Sequence, residues 1–182
     1  MSRLTMLTPS QMNERQLALY ELLTQNQGTE LKLTNSDGSL VGPFNLMVHE
    51  PRLGAAMQKL GGIILYRGSL TARAREIAIL CVAAHQQSEF ERSAHEAIGR
   101  AAGLTEAEMA AIAAKESLSL SDPSEVCVLN ISRALLEEGD LNDTAYKEAV
   151  VMLGEPGLIE LSTVIGYYSL VALQLRIFRV PG

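Results

Sequence analysis

Apolar residues recur along most of this chain at helical spacing, and the punctuation between the runs is that of helix ends. Residues 9–25 form the first such run: Thr8 is placed to cap it, Pro9 suits the first helical position, and Gly28 ends it. The next stretch changes character. Leu31-Lys32-Leu33-Thr34 alternates with period two, Asn35-Ser36-Asp37-Gly38 signals a turn, and residues 39–41 are placed to pair back before Gly42-Pro43 closes the segment. A short hairpin over 31–41 and an extended loop both fit. From Pro51 onward helix follows helix: residues 51–66, then 71–85, then 89–102 up to Gly103. Thr105 caps the next, with Glu108 completing a capping box. Asp122-Pro123 starts another that ends near Gly139, Asp143 or Thr144 starts one that runs to Gly154, and an apolar C-terminal helix follows. This pattern predicts an all-α bundle of about six or seven helices in a single domain, 1–182. Residues 1–50 read as an N-terminal helix and loop extension, and 51–182 as the helical core.

Composition narrows the class. The chain has 182 residues and is 47% hydrophobic, enough for one well-filled core, but only 4% aromatic with no Trp. The core must therefore come from Ala, Leu, Ile and Val, which suits close helix packing. Lys and Arg number 15 against 21 Asp and Glu, for a net charge of −6, and no basic run occurs. That argues against nucleic acid and against an anionic membrane surface. The N-terminus lacks the apolar core of a signal peptide. The uncharged stretch 161–175 is short for a membrane span and reads as a helix buried in a core or between subunits. Cys81 and Cys127 stand far apart inside predicted helices and read as buried free thiols, which points to the cytoplasm.

Few residues carry chemistry. On a helix over 72–84, Glu76 shares a face with Ala72, Ile79, Leu80 and Ala83, and most other positions are apolar too. A carboxyl group desolvated in this way is suited to proton transfer. The plainer reading is a first-turn carboxylate balanced by the helix dipole or by Arg73. On the next helix Phe90, Ala94, Ala97 and Ala101 form the expected core stripe, while Arg92, Glu96 and Arg100 form a solvated face. Between these faces run Ser88, Glu91, His95 and Ala102. Glu91 and His95 are four apart and therefore neighbours. A carboxylate beside an imidazole can fix its tautomer and pass a proton, although such a pair is more often a modest surface contact. His49 and His85 read as boundary residues. No HxH, HExxH or CxxC spacing and no phosphate-binding glycine loop occurs, so the sequence predicts neither metal nor cofactor.

Taken as a set, these residues resemble the carboxymuconolactone decarboxylase-like branch of the alkylhydroperoxidase D (AhpD-like) superfamily. The likeness rests on Arg75-Glu76-Ile77-Ala78-Ile79-Leu80, then Ser88-Glu89-Phe90-Glu91 with His95 four residues on, then Ala101-Ala102-Gly103-Leu104-Thr105-Glu106-Ala107-Glu108. Ile165-Gly166-Tyr167-Tyr168, Phe178-Arg179-Val180-Pro181, Gly42-Pro43-Phe44 and the segment 49–52 extend it across most of the chain. The family signature is a Glu, then CxxC, then a His, so Ser88 and Glu91 stand where its two cysteines would. No dithiol can cycle here, which disfavours the family's peroxidase chemistry. The resemblance implies an AhpD-like helical fold and a homo-oligomer. It leaves an acid–base set of Glu76, Glu91 and His95, suited to decarboxylation or lactone opening on a small organic acid or lactone, without a cofactor. An anionic substrate needs a cation, for which Arg73, Arg92 and Arg176 are candidates, with Ser88 and Tyr167 as further contacts. The alternative to an enzyme is a helical oligomer that binds a ligand without turning it over.

Overall fold

The computed structural model describes residues 2–25 and 33–180. Gly28, Leu31, Lys32 and Pro181, on which parts of the helix-end, hairpin and C-terminal expectations fall, lie outside the described residues. The chain divides into two compact units, one of residues 1–62 with 174–182 and one of residues 63–173. Eight α-helices and no strand are found among the described residues, so the all-α expectation holds.

In the first unit Thr8 and Pro9 start only a 3-10 turn, Pro9–Gln11. The helix proper, α1 (Glu14–Gln25), begins after Asn13, whose side-chain oxygen accepts the N–H groups of Arg15 and Gln16. Gln16 returns the bond by accepting from the Asn13 N–H. This second capping box explains why the predicted helix starts five residues late. Of the hairpin, the described part is a single antiparallel bridge between Thr34 and Leu40. Asp37 ties its turn by accepting from both the N–H and the hydroxyl of Ser39.

Gly42-Pro43 does not close that segment; it opens a helix, α2 (Gly42–His49), with Pro43 in the first turn. The core of this unit is Leu19, Leu23, Leu40, Met47 and Val48. There α3 (Pro51–Tyr66) passes so close to the end of α2 that a Cβ on Gly54 would sit 2.3 Å from the Met47 carbonyl oxygen. A backbone atom cannot step aside as a flexible side chain can. Gly54→Ala is therefore expected to destabilise the protein by about 1–3 kcal/mol, read as an earlier urea midpoint. An unchanged midpoint would mean that α2 and α3 do not meet there.

The second unit is built around α4 (Ala72–Gln86), which packs against α5 (Glu89–Ala101), α6 (Glu106–Ala113) and α7 (Pro123–Glu137). Three of these helices open on side-chain caps. Thr71 accepts from the Ala74 N–H, Thr105 and Glu108 form the capping box, and Asp122 accepts from the Ser124 N–H. The last element, α8 (Asp143–Phe178), is continuous in hydrogen bonding but broken at Gly154, where φ is 70° and ψ 164°. Gly154 and Pro156 thus separate the two helices expected there. By length and composition alone α8 is apolar enough to cross a membrane, yet Leu161, Val164, Ile165 and Tyr168 lie in the core with Ile77, Val82, Val128 and Leu129. The entrance to α4 is clasped from α8: the Glu160 carboxylate accepts from the Ser69 N–H and hydroxyl, both at 2.6 Å, and from the Leu70 N–H.

Candidate active site

Burial of α4 is as complete as its sequence suggests. Every residue from Glu76 to Ala83 is buried, and Glu76 itself is 0% exposed. Its neighbour α5 turns an unexpected face inward. Ala97 and Ala101 are exposed, and the buried residues are Glu91, His95 and Gly99. The turn between the helices sets this orientation. Gln87 adopts a left-handed conformation (φ 53°), and the Ser88 N–H bonds back to the Ala83 carbonyl. The flank that sequence periodicity placed between the core face and the charged face is thus the face applied to α4.

That rotation brings the three acid–base candidates together. His95 Nδ1 lies 2.7 Å from Glu76 Oε2, and His95 Nε2 lies 3.6 Å from Glu91 Oε2. The Glu76 carboxylate can only accept, so Nδ1 donates to it, while Nε2 faces Glu91. The Tyr168 ring stands edge-on to His95 at 4.9 Å and 88°, which fixes the plane of the imidazole. Tyr167 in turn stands edge-on to Tyr168 at 5.2 Å. Burial, and secondarily the charge of Glu91, pushes the Tyr167 phenol up to about 12 and raises Tyr168 well above its ordinary value, so both stay protonated. Glu91 is 3% exposed and His95 6%.

Glu91 is the electrostatically unusual member. Burial pushes its carboxyl up to about 7, against a smaller opposing pull from the charge of His95. It therefore exchanges a proton near neutral pH, where a general acid or base works best. Arg73 does not balance Glu76, because it is engaged elsewhere. Its Nε donates to Glu125 at 2.9 Å, its Nη2 to Glu108 at 2.5 Å, and its Nη1 to the Gly103 carbonyl. The cation beside Glu76 is Arg75, with Nε 3.5 Å from Glu76 Oε1. Sequence reasoning passed over Arg75 because consecutive helical residues point about 100° apart, and only its long side chain brings it back.

The remaining candidates are scattered. Ser88 is the N-cap residue of α5 and makes no side-chain cap bond. Arg92 is half-exposed and pairs with Glu89 at 2.5 Å and Glu96 at 3.6 Å, part of the solvated charge ladder read from the sequence. Arg176 belongs to the other unit. Cys81 faces Arg133, His85 and Leu136, and burial pushes its thiol up to about 12, so it supplies no thiolate. Cys127 is half-buried, its thiol raised by burial and by the charge of Glu148. No group of three or more metal-ligating side chains occurs among the described residues.

With this geometry in hand, comparison with known proteins is informative. Residues 51–134, which carry Arg75, Glu76, Glu91 and His95, match the carboxymuconolactone decarboxylase family. No curated protein sequence matches significantly. Among solved structures the chain is similar to the alkylhydroperoxidase AhpD core of an uncharacterized peroxidase-related protein from Ralstonia eutropha JMP134. The two are 15% identical with a TM-score of 0.76 over 99% of this chain and 91% of that one. An uncharacterized peroxidase-related protein from Silicibacter sp. TM1040 follows at 9% identity and a TM-score of 0.75, over 99% and 91% of the two chains. The debrominase Bmp8 in complex with 2,3,4-tribromopyrrole is 14% identical, with a TM-score of 0.72 over 100% and 93%. At such identities the likeness is one of fold. Residues 51–134 thus carry the pattern of the carboxymuconolactone decarboxylase family, and the chain has the helical fold of the AhpD-like proteins.

Proposed function

We propose that this protein is a cofactor-free lyase that decarboxylates, or opens the lactone ring of, a small organic acid. The observation that carries the reading is the buried relay Glu76–His95–Glu91, with 2.7 Å on one side of the imidazole and 3.6 Å on the other. In decarboxylation the carbon–carbon bond to the carboxylate breaks, CO2 leaves, and the electron pair stays on the substrate as an enolate. Glu91, whose carboxyl burial pushes up to about 7, gives its proton to that carbon through His95 Nε2 and regains one from solvent. In lactone opening Nε2 takes the proton of the attacking water and passes it to the departing ring oxygen. Glu76 holds the imidazole in the tautomer that both routes need.

Peroxidase chemistry has less support, because the relay ends in a carboxylate and the Cys81 thiol stays protonated. The reading includes self-association, supported by the exposed apolar side chains of Ile159, Leu170 and Leu173 on α8. The test is to incubate the protein with a panel of β-keto acids and carboxylated lactones and follow CO2 or the opened acid by carbon NMR. Turnover is expected in the wild type and should be lost in Glu91→Gln. A Glu91→Gln variant with the wild-type rate would overturn the reading, and no product from any compound would favour a ligand-binding oligomer.

A further inference from the structure

An acid–base site containing two carboxylates repels the organic acid it is meant to process unless a cation receives the acid's own carboxylate. Two of the arginines picked out by sequence are committed: Arg73 to Glu108, Glu125 and the Gly103 carbonyl, and Arg92 to Glu89 and Glu96. The third, Arg176, belongs to the other unit.

Arg75 is in a different position. Its side chain is 11% exposed, and its Nε is buried without a hydrogen-bond partner among the described residues. Glu76 Oε1, 3.5 Å away, is likewise buried and unbonded. Buried charged groups are normally saturated with hydrogen bonds, so an open guanidinium N–H beside an open carboxylate oxygen marks a place that a further group completes. The place belongs to the relay, since Glu76 Oε2 holds His95. The Tyr168 phenol, whose ring packs on His95, is raised first by burial and then by the charges of Glu91 and Glu76, against an opposing pull from Arg75.

We infer that Arg75 is the anchor for the carboxylate of the substrate, receiving it on the open edge of its guanidinium while the reacting carbon faces His95 and Glu91. The substrate class is then a small acid that keeps one carboxylate through the reaction, whether that reaction expels a second carboxylate or opens a ring. The reaction rests on the lyase reading above, whereas carboxylate binding does not.

Levulinate (4-oxopentanoate), which combines a carboxylate with a ketone, and its neutral methyl ester are suitable probes. Their binding to the full chain is measured at pH 7 through the His95 ring resonances. The wild type is expected to bind the acid on the order of tenfold or more tightly than the ester. Arg75→Gln should bind the two alike, and Arg75→Lys, which keeps the charge but not the planar fork, should retain only part of the preference. A loss of stability alone would weaken both probes together and leave their ratio unchanged. Equal binding of acid and ester by the wild type would overturn the inference, as would binding of neither. A full preference surviving in Arg75→Gln would do the same, or in Arg75→Lys if the Gln variant does not fold. Turnover without acid preference sinks the anchor alone; acid preference without turnover sinks the lyase reading alone.

Discussion

Replacing His95 by Gln is expected to lower turnover of a decarboxylating or lactone substrate by about 10²- to 10⁴-fold. Glutamine can still reach the Glu76 carboxylate with its amide hydrogens, so the buried acceptor keeps a partner and the fold survives. What disappears is the second nitrogen, the Nε2 that faces Glu91 at 3.6 Å. Glu76→Gln should fall in the same range for a different reason. An amide at this position can donate to Nδ1, which leaves the hydrogen on Nε2 and removes the lone pair from the reacting side. Stopped-flow or NMR rates on the same substrate give both values, and a His95→Gln rate within threefold of wild type would exclude the relay from the chemistry.

Glu91→Gln is expected to make the protein more stable at pH 8 by on the order of 3 kcal/mol, and to bring no such gain at pH 4. The Glu91 carboxyl is raised by burial from 4.5 to about 7, and each pKa unit corresponds to about 1.4 kcal/mol. A raised folded-state pKa means that the folded protein holds this proton more firmly than the unfolded chain. The stability this provides is complete below about pH 4.5 and is lost progressively up to about pH 7. Above that, the fold carries an ionised carboxylate in a poorly solvated place, and the amide removes that burden. Urea denaturation across this range checks the sign. Parallel curves for wild type and variant would mean that Glu91 is solvated and not part of a buried relay.

Where residue types dictate local backbone, the sequence was legible. Thr105 with Glu108 and Asp122 with Pro123 each start the helix they announce, and Gly154 with Pro156 breaks α8 where a boundary was expected. Where the same signal serves two purposes it misled: Gly42-Pro43 opens α2 instead of closing a turn. The candidate residues could be named from the sequence, but not their surroundings. Periodicity ranks alanine above glutamate for burial, so the face of α5 was assigned to Ala97 and Ala101, whereas a salt-bridged imidazole is what α4 receives. Arg73 could not be placed from local spacing, because its partners Glu108 and Glu125 lie 35 and 52 residues away.

The burial of the middle of α4 gives the two halves of the site different lifetimes against opening. Amides from Glu76 to Ala83 lie in the middle of the packing, and their exchange with deuterated water should require unfolding of the whole unit. On α5 only Glu91, His95 and Gly99 are buried, so smaller fluctuations suffice to expose its backbone. The anchoring carboxylate thus belongs to the slowest-exchanging segment, and the proton-exchanging one to a helix free to breathe around it.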